Sequence, residues 1–135
     1  MTAQLPTHYF QRTFSSAHRI THWPIHFAII IAPTQSTSPT RDLDKVYTED
    51  LHTYLKENFS WFRYMAVTES DNQTSTPCWA VNSEWQQACE IGLSYGLEAI
   101  YFVSDNTLSV SYCDERRKPI FVDGFLNRYT VSETD

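Results

Sequence analysis

A chain of 135 residues, 41% hydrophobic and 15% aromatic, holds enough apolar side chain for one folded domain spanning residues 1–135, and too much for a disordered one. Ten basic and sixteen acidic residues leave a net charge of −6, which argues against phosphate-neutralising contacts and so against a nucleic-acid partner. With Gly92, Gly96 and Gly124 as the three glycines, neither GxGxxG nor a P-loop pattern occurs, which removes nearly every glycine-dependent phosphate loop.

From the N-terminus, "MTAQLPTHYFQRTF" has no apolar core of a secretory leader, and Tyr9 to Phe14 reads as a short strand. "SSAHRITHWPIHFAIIIAP" follows, with His18, His22 and His26 at a spacing of four. Pro24 breaks any continuous helix there. On one extended strand His18 and His26 would stand roughly 26 Å apart, at about 3.3 Å per residue. A zinc ion needs three or four ligands near 2 Å. No metal site is therefore expected, and the histidines read as a polar approach to the strand Phe27–Ala32. That strand does not alternate with polar residues, so both its faces should be buried. It is far shorter than the roughly 20 residues that span a bilayer.

Residues 34–40 read as a polar loop. Between Asp42 and Phe59, Leu43, Val46, Tyr47, Leu51, Tyr54, Leu55 and Phe59 fall on one stripe of a helix. Thr40 suits its N-cap, and Asp42 and Asp44 its first turn. Strands are expected at Trp61–Thr68 and Cys78–Val81, an antiparallel pair across the polar loop 69–77. Ser83 and Gln86 match a capping box. The following helix turns Trp85, Ala88, Cys89, Gly92 and Tyr95 to one face and stops at Gly96. Gly92 on that face implies close approach to a strand. Ala99–Val103, a tight turn over 104–107, and Leu108–Cys113 come next. The last alternates, which implies one wet face near a sheet edge. After the solvated turn carrying Arg116, Arg117 and Lys118, Ile120–Val122 adds a strand. The expected fold is α+β: a mixed or antiparallel sheet with two main helices on one face, a ferredoxin-like βαββαβ order plus a C-terminal hairpin.

Chemistry-bearing patterns are sparse. Cys78, Cys89 and Cys113 are odd in number and widely spaced, which fits a reducing, cytoplasmic setting rather than a disulfide framework. Cys113 lies beside Asp114 and Glu115, which disfavour a thiolate, and Cys78 and Cys89 read as core. Glu69 and Asp71 lie by a loop, while Glu98 stands out in an apolar strand entry. GxSxG and HExxH are absent. Most aromatics read as core, but Trp23 and Trp61 stand at element ends beside polar residues and would anchor a partner if exposed.

"FAIIIAP", the long helix, "CWAVNSEWQQACEIGLSYGLEAIYFVSDNTLSVSYC" and "VDGFLNRY" together resemble an uncharacterised bacterial family, domain of unknown function 3293. The resemblance spans roughly Phe27 to Tyr129. It implies a small soluble bacterial protein and carries no activity with it. The expectation is a non-enzymatic binding or regulatory module for a protein or small-molecule partner, without metal or cofactor. Its candidate binding residues are Trp23, Trp61, His18, Arg19, His22 and Glu98. The alternative is a small enzyme with a pocket of His18, Arg19, His22 and Glu98.

Overall fold

The structure is a computed structural model that describes residues 7–31, 41–68 and 75–131. A 3-10 turn at Thr7–Phe10 leads into β1 (Thr13–Ser16) and β2 (His26–Ile31), then helix α1 (Arg41–Asn58). Strands β3 (Phe62–Thr68) and β4 (Ser75–Val81) precede helix α2 (Trp85–Ser94). Then come β5 (Ala99–Ser104), β6 (Thr107–Tyr112), β7 (Ile120–Gly124), a second 3-10 turn (Phe125–Asn127) and β8 (Tyr129–Val131). All eight strands lie in one sheet, in the order β7-β6-β5-β2-β4-β3-β1-β8. Every pairing is antiparallel except the parallel pair of β1 and β8.

The sheet cannot be flat. Its two outermost strands, β7 and β8, are consecutive in the chain, joined only through residues 125–128. A flat sheet would hold them about 33 Å apart at about 4.8 Å per strand. The five steps from Gly124 to Tyr129 reach at most about 18 Å. Phe14 on β1 and Tyr101 on β5 say the same: their ring centroids are 5.2 Å apart although three strands separate them in the sheet. The sheet curls into a half-barrel, and its concave face is a core. Phe14, Phe27, Ile29, Met65, Val67, Tyr101, Val103, Leu108, Val110 and Phe125 fill it. The alternate residues Ala28, Ile30, Trp79, Val81 and Ile100 face outward, where Leu51 and Leu55 of α1 and Ala88, Cys89 and Ile91 of α2 cover them. β2 is thus buried on both faces, as its unbroken apolar run requires.

This overturns the expected α+β, ferredoxin-like layer with two helices on an open sheet. The molecule is mostly sheet, and the strands added at both chain ends curl it around a second, aromatic core. Several local expectations change with it. Tyr9 to Phe14 is not one strand. Arg128 takes the carbonyls of Phe10 (2.9 Å) and Arg12 (3.2 Å) with Nη1 and turns the chain before β1. The polar face of β6 is wet only at its start: Thr107 is exposed and Ser109 half-buried, but Ser111 is buried and accepts the Lys118 N–H at 3.1 Å. The Ser83–Gln86 capping box is not made, because Ser83 Oγ donates to the Glu84 carbonyl at 2.8 Å and Glu84 is the uncapped N-cap. The stop at Gly96 is made. Its φ of 73° lets the Leu97 N–H return to the Gly92 carbonyl at 2.8 Å. Asp105 and Asn106, both at positive φ, form the two-residue turn between β5 and β6. The polar loop 34–40, the Thr40 cap and the first-turn acids Asp42 and Asp44 lie outside the described residues and side chains. Among the described residues no helix is long and apolar enough to cross a membrane.

Candidate functional site

The segment from Ala17 to Ile25 links β1 to β2 across one end of the half-barrel. Three anchors hold it. Ser16 Oγ donates to the His18 carbonyl at 2.6 Å. The Tyr129 hydroxyl lies 2.6 Å from Ser16 Oγ and accepts the Ile20 N–H at 3.1 Å. Ile20 itself is buried in the concave core. Between the anchors His18, Arg19, Thr21 and His22 are exposed, and His22 takes a positive φ of 59°. A non-glycine residue in that region bends the chain sharply, so the loop folds back along the start of β3. There Arg63 and Tyr64 complete a groove of about 410 Å³ with Ser16, His18, Arg19, Thr21 and His22.

Its electrostatics run against those of the chain as a whole. No Asp or Glu lines the groove, while two arginines and two histidines do. Among the described residues neither Arg19 nor Arg63 has a carboxylate partner. Arg63 is steered instead by its own strand: Nη1 donates to the Phe62 carbonyl at 2.9 Å, and the guanidinium stands 5.1 Å from the Trp61 ring. Tyr64 projects beside it, 60% exposed. The groove offers hydrogen-bond donors and positive charge, a lining that can hold an anion.

Trp23 and Trp61 are partly buried and packed, not free anchors. Trp23 contacts Phe27 and Phe125 (centroids 5.1 Å), Tyr129 (5.2 Å) and Trp61 (5.7 Å). Together they plug this end of the half-barrel. Beside Trp23 a smaller cleft of about 210 Å³ lies over Phe27, Val103 and Phe125, with exposed Ile25 and Leu126 at its rim.

The structure therefore brings His18, Arg19, His22, Trp23 and Trp61 to one end. It does not bring Glu98, which precedes β5 at the opposite end. There Glu98 Oε1 accepts the Tyr9 hydroxyl at 2.8 Å. Burial first, then that hydrogen bond, pushes the Tyr9 phenol above its ordinary range. His26 also stands apart from the groove, with Nδ1 2.8 Å from Ser104 Oγ and its ring stacked on Phe102. Among the described residues no group of three His, Cys, Asp or Glu is placed to hold a metal ion. Cys78 lies in the concave core, where burial pushes its thiol up and away from nucleophilic use.

Arg63 is the residue that sequence reasoning missed. Its signal was a cation in an aromatic and β-branched strand, at the position that period-two alternation with Met65 and Val67 assigns to the buried face. No family model matches the chain, nor does any curated protein or solved structure.

Proposed function

We propose that this protein is a non-catalytic binding module whose groove takes a small anionic ligand bearing carboxylate or phosphate groups. The observation that carries this reading is the pair Arg19 and Arg63. Both are exposed, and both line an acid-free groove in a chain of net charge −6 without a carboxylate partner among the described residues. Surface arginines in an acidic protein have many carboxylates to pair with, so two that line one concavity and have no such partner among the described residues suit an incoming anion. Guanidinium groups donate to carboxylate or phosphate oxygens in a fork, and the imidazoles of His18 and His22 add further donors. Tyr64 supplies a flat apolar wall. The resemblance to the bacterial family of domain 3293 is part of this proposal, as is a cytoplasmic setting. Three unpaired cysteines, Cys78, Cys89 and Cys113, support the latter.

The test is a titration of the isotope-labelled protein with inorganic phosphate, citrate and a nucleoside triphosphate, followed by amide shifts. At least one anion is expected to shift the amides of residues 17–22 and 62–64 selectively. Arg19→Ala with Arg63→Ala should weaken that binding at least tenfold, while Lys118→Ala leaves it unchanged. Equal affinity in the double variant, or no localised shift with any of the three anions at millimolar concentration, overturns the proposal.

A further inference from the structure

On the outer face, Cys89 of α2 and Cys113 just past β6 meet within one apolar cluster. Both are free and fully buried. Cys89 Sγ donates to the Tyr112 carbonyl, one peptide before Cys113, at 3.5 Å, and lies 3.9 Å from Ser111 Oγ. Cys113 Sγ rests on the helix one turn further along, at the place where a Cβ on Gly92 would stand. The absent side chain of Gly92 is what lets the second sulfur settle against α2 beside the first. Arg117 clamps the same seam, with Nε on the Cys113 carbonyl at 2.7 Å and Nη1 on Glu90 of α2 at 2.8 Å. Cys78, by contrast, belongs to the concave core on the other side of the sheet.

We propose that Cys89 and Cys113 are a redox-convertible dithiol, oxidised by peroxide to a disulfide that ties α2 to the end of β6. The Cys89 thiolate attacks one peroxide oxygen and becomes a sulfenic acid, and the other oxygen leaves as hydroxide and takes up a proton to form water. Cys113 sulfur then attacks the sulfenic sulfur, the S–S bond forms, and the hydroxyl leaves as a second water carrying the Cys113 proton. Two thiols and one hydrogen peroxide give one disulfide and two waters, and two electrons pass from sulfur to oxygen. Cys89 is the attacking sulfur. The neighbouring Cys113 thiol, then Ser111 and the charge of Arg117, outweigh burial and lower its pKa to about 7. The same contact holds the Cys113 proton in place and raises its pKa. Because both sulfurs are buried, the reaction proceeds through openings of the α2–β6 seam, and the covalent link then closes that seam.

The test uses the reduced full-length chain, treated with hydrogen peroxide, alkylated at its remaining thiols and cut by a glutamate-specific protease. Cleavage after Glu69, Glu84, Glu90, Glu98 and Glu115 places Cys78, Cys89 and Cys113 on three separate peptides. The expected product is a monomer lighter by two hydrogen atoms, with peptides 85–90 and 99–115 joined and Cys78 alkylated. Dithiothreitol should reverse it, and the oxidised form should melt several degrees higher. The Cys78→Ser chain should give the same link. Alkylation of both Cys89 and Cys113 after peroxide, conversion of Cys89 to a sulfinic acid without a link, or a link to Cys78 would each overturn the proposal. The link is read on the unmutated chain, so no variant has to fold for the result to count.

Discussion

Gly92 sits where α2 crosses the end of β6, and its missing side chain is filled by a neighbour. A Cβ there would overlap Cys113 Sγ and come within 3.1 Å of Ile100 Cγ2. Alanine is the better helix former by about 1 kcal/mol, but overpacking a tight contact costs about 1–3 kcal/mol. Gly92→Ala is therefore expected to lower the unfolding free energy by about 1–2 kcal/mol despite its helical gain. Cys113→Ala in the same chain should recover much of the loss, making the two changes non-additive. Urea denaturation of the four chains of this cycle measures it, and strict additivity would mean the seam relaxes freely. At this scale the sequence was partly readable. A glycine on the inner face of α2 announced a close approach, but the sulfur that makes it comes from a residue 21 positions later. Only the pairing of β5 with β6 brings Cys113 there. Trp23 and Trp61 show the converse limit. Polar neighbours in the chain made them look like free anchors, whereas Trp61 packs on Trp23 and Phe27, and Trp23 in turn on Phe125 and Tyr129 from the far end of the sequence.

The corner from β7 to β8 carries the closure of the sheet in very few residues, and one carboxylate organises it. Asp123 accepts the Gly124 N–H at 2.7 Å, Arg128 Nε at 2.8 Å and Asn127 Nδ2 at 3.0 Å. These bonds, Asn127 first and Arg128 next, hold its carboxyl below the ordinary carboxylate range. A depressed folded pKa means a contribution that is complete above the unfolded value, near about 3.9, and is lost as pH falls through the folded value. Asp123→Asn is expected to lower the melting temperature at neutral pH, with the gap narrowing steadily as pH drops below about 4. Melts of both chains across pH 2 to 7 check this, and a gap constant with pH would place the effect in shape rather than charge. Elements of this kind were legible from periodicity and turn residues. β2, α1, α2 and the β5–β6 hairpin stand within a residue or two of their expected bounds. β1 was displaced because the bonds that set it come from Arg128, a partner that local pattern does not reveal. The capping box failed for a similar reason, since Ser83 found a nearer acceptor in the Glu84 carbonyl.

The curl of the whole sheet is what joins its core to its candidate site, and Tyr129 is the joint. It lies on β8, the last strand in the sheet order, stacks against Phe125, meets Trp23 edge-on, and its hydroxyl bonds Ser16 Oγ and accepts the Ile20 N–H. The loop bearing His18, Arg19 and His22 is thus fixed by a residue more than a hundred positions away. No local pattern could have shown this, because it depends on the edge strands returning to each other. Tyr129→Phe keeps the ring packing and removes the hydroxyl. The loss of bonds at two partly buried groups should cost about 1–2 kcal/mol of stability. The Ile20 amide should then exchange with solvent markedly faster, while amides of β2 and β5 keep their protection relative to global stability. If the groove binds anions as proposed, the affinity should fall several-fold, because the arginine-bearing loop would have to be ordered on binding rather than beforehand. Hydrogen exchange and the phosphate titration, run on the same sample, separate the outcomes. Faster exchange at Ile20 with unchanged affinity would show that Arg19 binds without the loop's support. Unchanged exchange would show that burial of the Ile20 side chain alone holds the loop.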